Sequence, residues 1–252
     1  MAGVYRRMLD YKASGRAAYV VLVDPDRLPP GSVAERIGLI SRHADFVFVG
    51  GSMLAGGGFD ETVRRVKTAS EAPVVIFPGD ATQVSAAADA ILFLSLVSGR
   101  NADLLIGEHV KAAPAVREAG LEVIPVAYIL VESGRTTSVQ FMSQTLAVPV
   151  DKPEIAMVHG LAGEYLGMKA VFLEAGSGAP SHVPAEMVRA VSEYVSVPVI
   201  AGGGIRTPEA AGSLVRAGAS LIVTGDVIER RGSEDLLAEF SEAVRGSRSE
   251  RG

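Results

Sequence analysis

Short apolar runs alternate with amphipathic stretches along almost the whole chain. Residues 18–23, 45–49, 73–77, 90–94, 121–129, 169–174, 197–201 and 221–224 have the length and apolar character of strands buried on both faces. Between them, apolar residues at helical spacing predict helices over 5–13, 102–119, 152–166, 184–195 and 208–217. Ser32 is placed to cap a helix reaching about Arg42 through Val33, Ile37 and Ile40, Asp60 to cap the next, and the last helix begins near Ser233. Gly120 stops the helix that precedes the fifth strand. Strands alternating with helices at this spacing form a parallel sheet with right-handed crossovers, and eight such units close as an α/β fold, a (β/α)8 TIM-type barrel.

Two irregularities stand out. About a dozen residues separate Phe77 from Ala90, barely enough for a crossover with a helix, so the third helix is expected to be truncated or irregular. From Val131 to Gly167 the chain is longer than one helix requires, which predicts an extra segment near 136–145 on the strand-end side, where insertions carry function.

Composition narrows the classes. A chain of 252 residues with 48% hydrophobic content buries a full core, and with no linker-like shift it reads as one domain over 1–252 with a polar tail from about 246. The formal charge of -5, with no basic block outside that tail, argues against nucleic acid as a ligand. There are no cysteines, which excludes disulfides and thiolate metal sites and suits a cytoplasmic protein. No apolar run approaches the ~18 residues of a membrane span, and no signal-peptide layout opens the chain.

The candidate chemistry gathers at strand ends. Phe172, Leu173, Glu174, Ala175, Gly176, Ser177 and Gly178 form a buried strand, one carboxylate and a glycine turn. Alone this reads equally as a catalytic strand end or as a capping turn with a solvated acid. Barrels of this type bind phosphate on the loops after strands seven and eight, here Gly202-Gly203-Gly204 and Thr224-Gly225-Asp226, where glycine lets amide donors converge on the anion. A carboxylate at Asp226 would repel phosphate, so it is expected to face away and cap the following turn. Asp24 and Ser52, ending strands one and two, offer a carboxylate and a hydroxyl on adjacent strands, an oxygen pair that suits magnesium carrying a diphosphate. Spacing alone favours the alternative, in which Asp24 caps the Asp-Pro turn and Ser52 is a turn residue. Asp26, beyond Pro25, competes as a ligand but is directed away from the mouth. His43, His109, His159 and His182 show no ligand spacing and read as surface or helix-face residues. Tyr128 and Arg100 are polar candidates for the mouth, with core packing and a pair to Asp103 as their respective alternatives, while Tyr165 and Met168 are expected to pack on the barrel.

Read together and in order, VDPD (23–26), GGS (50–52), SGRN (98–101), FLEAGSG (172–178), GGGIR (202–206) and TGD (224–226) resemble the geranylgeranylglyceryl phosphate synthase family, (β/α)8 prenyltransferases. The resemblance spans nearly the whole chain. It implies transfer of a geranylgeranyl group from its diphosphate to sn-glycerol 1-phosphate, the first ether bond of archaeal membrane lipids, with Mg2+ on the diphosphate. It implies that Asp24 and Ser52 hold magnesium and that Phe172 to Gly178, Gly203, Gly204, Gly225 and Asp226 bind glycerol phosphate; as a mechanistic hypothesis, Glu174 is the catalytic residue that accepts or directs the proton of the glycerol hydroxyl. It also implies a polyprenyl groove leaving the mouth, lined by the insertion between strands five and six, a homo-oligomer, and peripheral membrane contact through the lipid product. Two positions depart from the family pattern: Phe172 stands where tyrosine is usual and Asp226 where asparagine is usual. The glycine motifs alone also fit a sugar-phosphate isomerase or lyase, and the departures fit a catalytically idle phosphate-binding barrel.

Overall fold

The computed structural model describes residues 3–28, 30–51, 58–231 and 233–250. Strands β1 (Ala18–Val23), β2 (Phe46–Val49), β3 (Val74–Ile76), β4 (Ala90–Leu96), β5 (Glu122–Leu130), β6 (Ala170–Glu174), β7 (Val199–Gly202) and β8 (Leu221–Thr224) close a barrel in sequence order. Its neighbouring strands are parallel, and closure pairs Ala18 with Leu221 and Val21 with Thr224. The helices are α1 (Val4–Ala13), α2 (Val33–His43), α3 (Phe59–Ala69), α4 (Glu108–Ala119), α5 (Ser138–Ser143), α6 (Pro153–Tyr165), α7 (Ala185–Tyr194), α8 (Pro208–Arg216), α9 (Asp226–Arg231) and α10 (Glu234–Gly246).

The period of two along each strand sorts the core into two layers. Val20, Phe48, Leu92, Val126, Phe172 and Ile200 fill the barrel interior, while Tyr19, Val47, Leu173, Ala201 and Ile222 face the helices. Helix α1 closes the bottom: Val4 and Met8 pack into the interior layer, and the Glu122 carboxylate accepts from the first amides of the helix, Val4 at 2.6 Å and Tyr5 at 2.9 Å. The tail docks on the same end, with the Ser249 and Glu250 amides donating to the carbonyls of Gly15 and Arg216.

Several expectations are refined. Residues 77–89 form turns and no helix. Their Ala81, Val84 and Ala88 pack instead over Ile76 and Ile91, on the outer faces of β3 and β4. The helix after β2 is capped by Gly58, at a φ of 91°, and not by Asp60, which lies in its first turn and pairs with Arg64 and Ser85. Helix α4 is preceded by a π-helical turn, Asp103–Gly107. The insertion contains α5, and the short helix α9 follows β8 directly, unforeseen because its six residues carry too little apolar periodicity. Tyr165 does not pack on the barrel: it is 81% exposed, whereas Met168 is partly buried against the core. Among the described residues no helix is long and apolar enough to cross a membrane.

Candidate active site

The carboxyl ends of the strands surround a cavity of about 910 Å3. Glu174, the last residue of β6, shares the inward face of its strand with Phe172, two residues back. It reaches the cavity wall yet is only 7% exposed. Its Oε1 accepts from the Gly176 amide at 2.6 Å. Burial pushes its pKa up to about 7, against the opposing pull of the Gly176 amide and the Tyr128 hydroxyl, which both favour the charged form. Its own burial, and after that the same carboxylate, hold the Tyr128 phenol well above the usual tyrosine range. A buried carboxyl poised near neutrality can exchange a proton with a bound hydroxyl.

Around Glu174, the loops after β6, β7 and β8 bring Ser177, Gly178, Gly203, Gly204, Gly225 and Asp226 to the same cavity wall. Gly203 has a φ of 77°, and a Cβ there would collide with Glu174 Oε1 and with the backbone of Gly176. Glycine is required at that point because the acid, the turn after β6 and the loop after β7 share the space. The other candidates of the strand-six motif are placed elsewhere. Leu173 and Ala175 face the helix layer, Gly176 holds Glu174 without lining the cavity, and Phe172 is fully buried below the mouth. There its ring lies 5.4 Å from both Phe77 and Tyr128. No hydroxyl at position 172 is needed to fill that space.

Asp226 does not face away as expected. It lines the cavity, and its Oδ1 lies 3.3 Å from Arg27 Nη1 and 4.0 Å from the position of a Cβ on Gly178. Arg27 was not anticipated. From the 3-10 turn after β1 its guanidinium also meets Glu229 Oε2 at 2.7 Å and Asp24 Oδ2 at 3.5 Å. Arg135 was likewise missed: it lines the cavity and donates to the Gly178 carbonyl.

Asp24 takes the capping role and also stands on the cavity wall. Its Oδ1 caps the Asp-Pro turn by accepting from the Asp26 amide at 3.0 Å, and the residue lines the cavity. Burial raises its pKa, opposed by the Asp26 amide and Arg27. A partly desolvated hard oxygen donor of this kind suits a hard divalent cation. Among the described residues no cluster of three acidic, histidine or cysteine side chains could hold a metal; magnesium takes few protein oxygens and completes its shell with water and substrate. Ser52 lies outside the described residues; Gly50 and Gly51 before it line the cavity. Asp26 is exposed and does not line it.

Arg100 does not pair with Asp103. It donates to the Val97 and Gly99 carbonyls and approaches His159. His109, expected on a surface or helix face, is buried on α4 against Phe93 and hydrogen-bonded to Ser95 at 3.0 Å, and burial lowers its pKa.

A second, apolar cavity of about 350 Å3 shares Phe77, Tyr128, Val139 and Met142 with the first. It runs over the ends of β3 and β4 and down the outer face of β4, past Phe93 and Ile91, to His109 and Ala112 of α4. The space exists because residues 77–89 do not form the usual covering helix.

A family model described as the PcrB family matches residues 11–244. Over 242 residues the chain is 45% identical to the geranylgeranylglyceryl phosphate synthase of Chitinophaga pinensis, covering 96% of this chain and 95% of the relative. Over 239 residues it is 43% identical to that of Thermococcus kodakarensis, covering 90% and 92%. The crystal structure of (S)-3-O-geranylgeranylglyceryl phosphate synthase from Thermoplasma acidophilum, in complex with sn-glycerol-1-phosphate, matches with a TM-score of 0.91 at 35% identity, over 98% of this chain and 100% of that one.

Proposed function

The chain belongs to the PcrB family, with the geranylgeranylglyceryl phosphate synthases, and from that membership we propose that it joins sn-glycerol 1-phosphate to geranylgeranyl diphosphate, giving 3-O-geranylgeranylglyceryl 1-phosphate and diphosphate. The observation that carries this reading is the junction at Tyr128. A polar cavity with an acid and three glycine loops meets an apolar groove there, as a transfer between a small phosphate and a long hydrocarbon requires.

In this reading the phosphate of the acceptor sits on the amides of the β7 and β8 loops and on Ser177 and Gly178, at the position where such barrels bind phosphate. That anchor aims the C3 hydroxyl at the allylic carbon. The C–O bond to the glycerol oxygen forms as the bond to the diphosphate breaks, and the proton of the hydroxyl passes to Glu174. The hydrocarbon lies in the groove past Phe93 and Ala112, where apolar walls keep water from the allylic centre.

Asp24, with Ser52, would hold magnesium. When bound, it supplies charge neutralisation to the leaving diphosphate. The chain's place is the cytoplasm, in contact with the membrane that takes up its product, and it works as a homo-oligomer. Incubation of the purified protein with either glycerol phosphate enantiomer and prenyl diphosphates of several lengths, with and without Mg2+, tests the reading. Ether product from the sn-1 enantiomer and a C20 diphosphate is expected, and no transfer under any condition would overturn it.

A further inference from the structure

The mouth between β1 and β8 carries three carboxylates, Asp24, Asp226 and Glu229, gathered on one guanidinium. Asp226 stands in the loop that lines the phosphate cavity, and its Oδ1 lies between Arg27 and the Gly178 turn. An ionised carboxylate at that distance from a phosphate site opposes anion binding unless its charge is offset locally. Arg27 supplies that offset. Its Nη1 contacts both Asp226 and Glu229, and its Nε faces Asp24. The guanidinium is itself on the cavity wall, and its partners hold its pKa above the ordinary arginine value, Glu229 most of all.

We propose that Arg27 is a positioning and specificity-determining residue for the acceptor phosphate: by clamping Asp226 it converts a loop bearing a carboxylate into one that accepts a dianion. The proposal rests on the phosphate site described above. It predicts that Arg27 matters because of Asp226, so the two residues are coupled and removing the carboxylate relieves the need for the cation.

The test is calorimetric binding of sn-glycerol 1-phosphate, and separately of inorganic phosphate, to wild type, Arg27→Gln, Arg27→Lys, Asp226→Asn and the Arg27→Gln/Asp226→Asn double variant. Arg27→Gln is expected to weaken both ligands about tenfold or more, the scale for stripping one partner from a charge pair. Arg27→Lys keeps the charge and restores most of the affinity. The double variant recovers to within about threefold of wild type, because a neutral side chain at 226 no longer repels the ligand. A merely structural role for Arg27 would lower the melting temperature without rescue by Asp226→Asn. Should Arg27→Gln fail to fold, Asp226→Asn alone still decides, since it is expected to tighten phosphate binding and weaker binding would overturn the proposal. A double variant no better than Arg27→Gln, or Arg27→Gln with unchanged affinity, would also overturn it. Wild type that binds inorganic phosphate but not sn-glycerol 1-phosphate would sink the acceptor assignment, while the inorganic phosphate series still judges Arg27. Wild type that binds no phosphate ligand overturns both.

Discussion

The carboxylate of Glu174 is held at 2.6 Å by the amide of Gly176, two residues further along the chain, inside a site that otherwise excludes it from water. That single amide bond and the nearby Tyr128 hydroxyl do not cancel the burial, and the acid is displaced to about 7. A carboxyl raised in the folded state contributes its stability below its unfolded pKa and loses it as pH rises through the folded value. Glu174→Gln is therefore expected to stabilise the fold by about 3 kcal/mol near pH 8 and by only about 1 kcal/mol near pH 5. Urea denaturation at the two pH values reads this difference. The same variant should lose about a hundredfold or more in transfer rate, and a gain in stability without loss of rate would dismiss the base role.

The pH dependence of kcat/KM for the acceptor should follow from the same group. The rate rises with pH through an apparent pKa near that of the Glu174 carboxyl, about 7. Tyr128→Phe removes a hydroxyl that favours the charged form, so its profile is expected to move to higher pH. Glu174→Gln should leave only the titration of the substrate phosphate. Identical profiles for wild type and Tyr128→Phe would separate the tyrosine from the acid.

Glycines at Gly203 and Gly167 share a positive φ, at 77° and 87°, but not their surroundings. A Cβ at Gly203 strikes the Glu174 carboxylate and the backbone of Gly176, whereas one at Gly167 meets nothing within 4 Å. Gly167→Ala should cost about 1 kcal/mol of backbone strain and leave phosphate affinity intact, while Gly203→Ala should cost more and abolish binding. Parallel melting and phosphate titration of the two variants separates strain from collision.

The groove can be shortened at Ala112, on α4 at its outer end. Ala112→Phe is expected to raise KM for a C20 diphosphate about tenfold by excluding two methylenes, each worth about 0.8 kcal/mol of burial. Shorter diphosphates and glycerol phosphate should be little affected. An equal loss across all chain lengths would place the hydrocarbon elsewhere.

The strand ends were legible because their signal is local. Glu174 with its glycine turn, and the glycines after β7 and β8, combine strand length, loop composition and position in the alternation, and the fold brings them to one wall. Alternation within β6 also carries the sorting of its residues, with Phe172 and Glu174 inward and Leu173 outward, although motif matching alone treats all of them as contacts. Arg27 could not be read in this way. Its partner Asp226 is 199 residues away, and an arginine after an Asp-Pro turn looks like a solvated charge until β1 and β8 are closed side by side. Arithmetic on residues 77–89 exposed a shortage of helix, but the groove left by that shortage depends on the tertiary placement of α4 and α5. His109 lies on a helix face as its sequence suggests, but its burial was not legible, since that depends on Phe93 and Ser95 of β4 meeting α4.

The stretch from Phe77 to Asp89 also bears on how the molecule is stabilised. Turns stand where a helix between β3 and β4 would lie, so the outer layer there is made by Ala81, Val84 and Ala88 with Ala112 and Val116 of α4, and the hydrocarbon proposed to lie in the groove would complete it. A donor bound there would stabilise the folded chain by mass action, so its tail would act as a ligand chaperone. Tail and head group of such a donor and acceptor would then be read in separate places, because the groove runs along the outer face of β4 while the glycine loops lie at the barrel mouth.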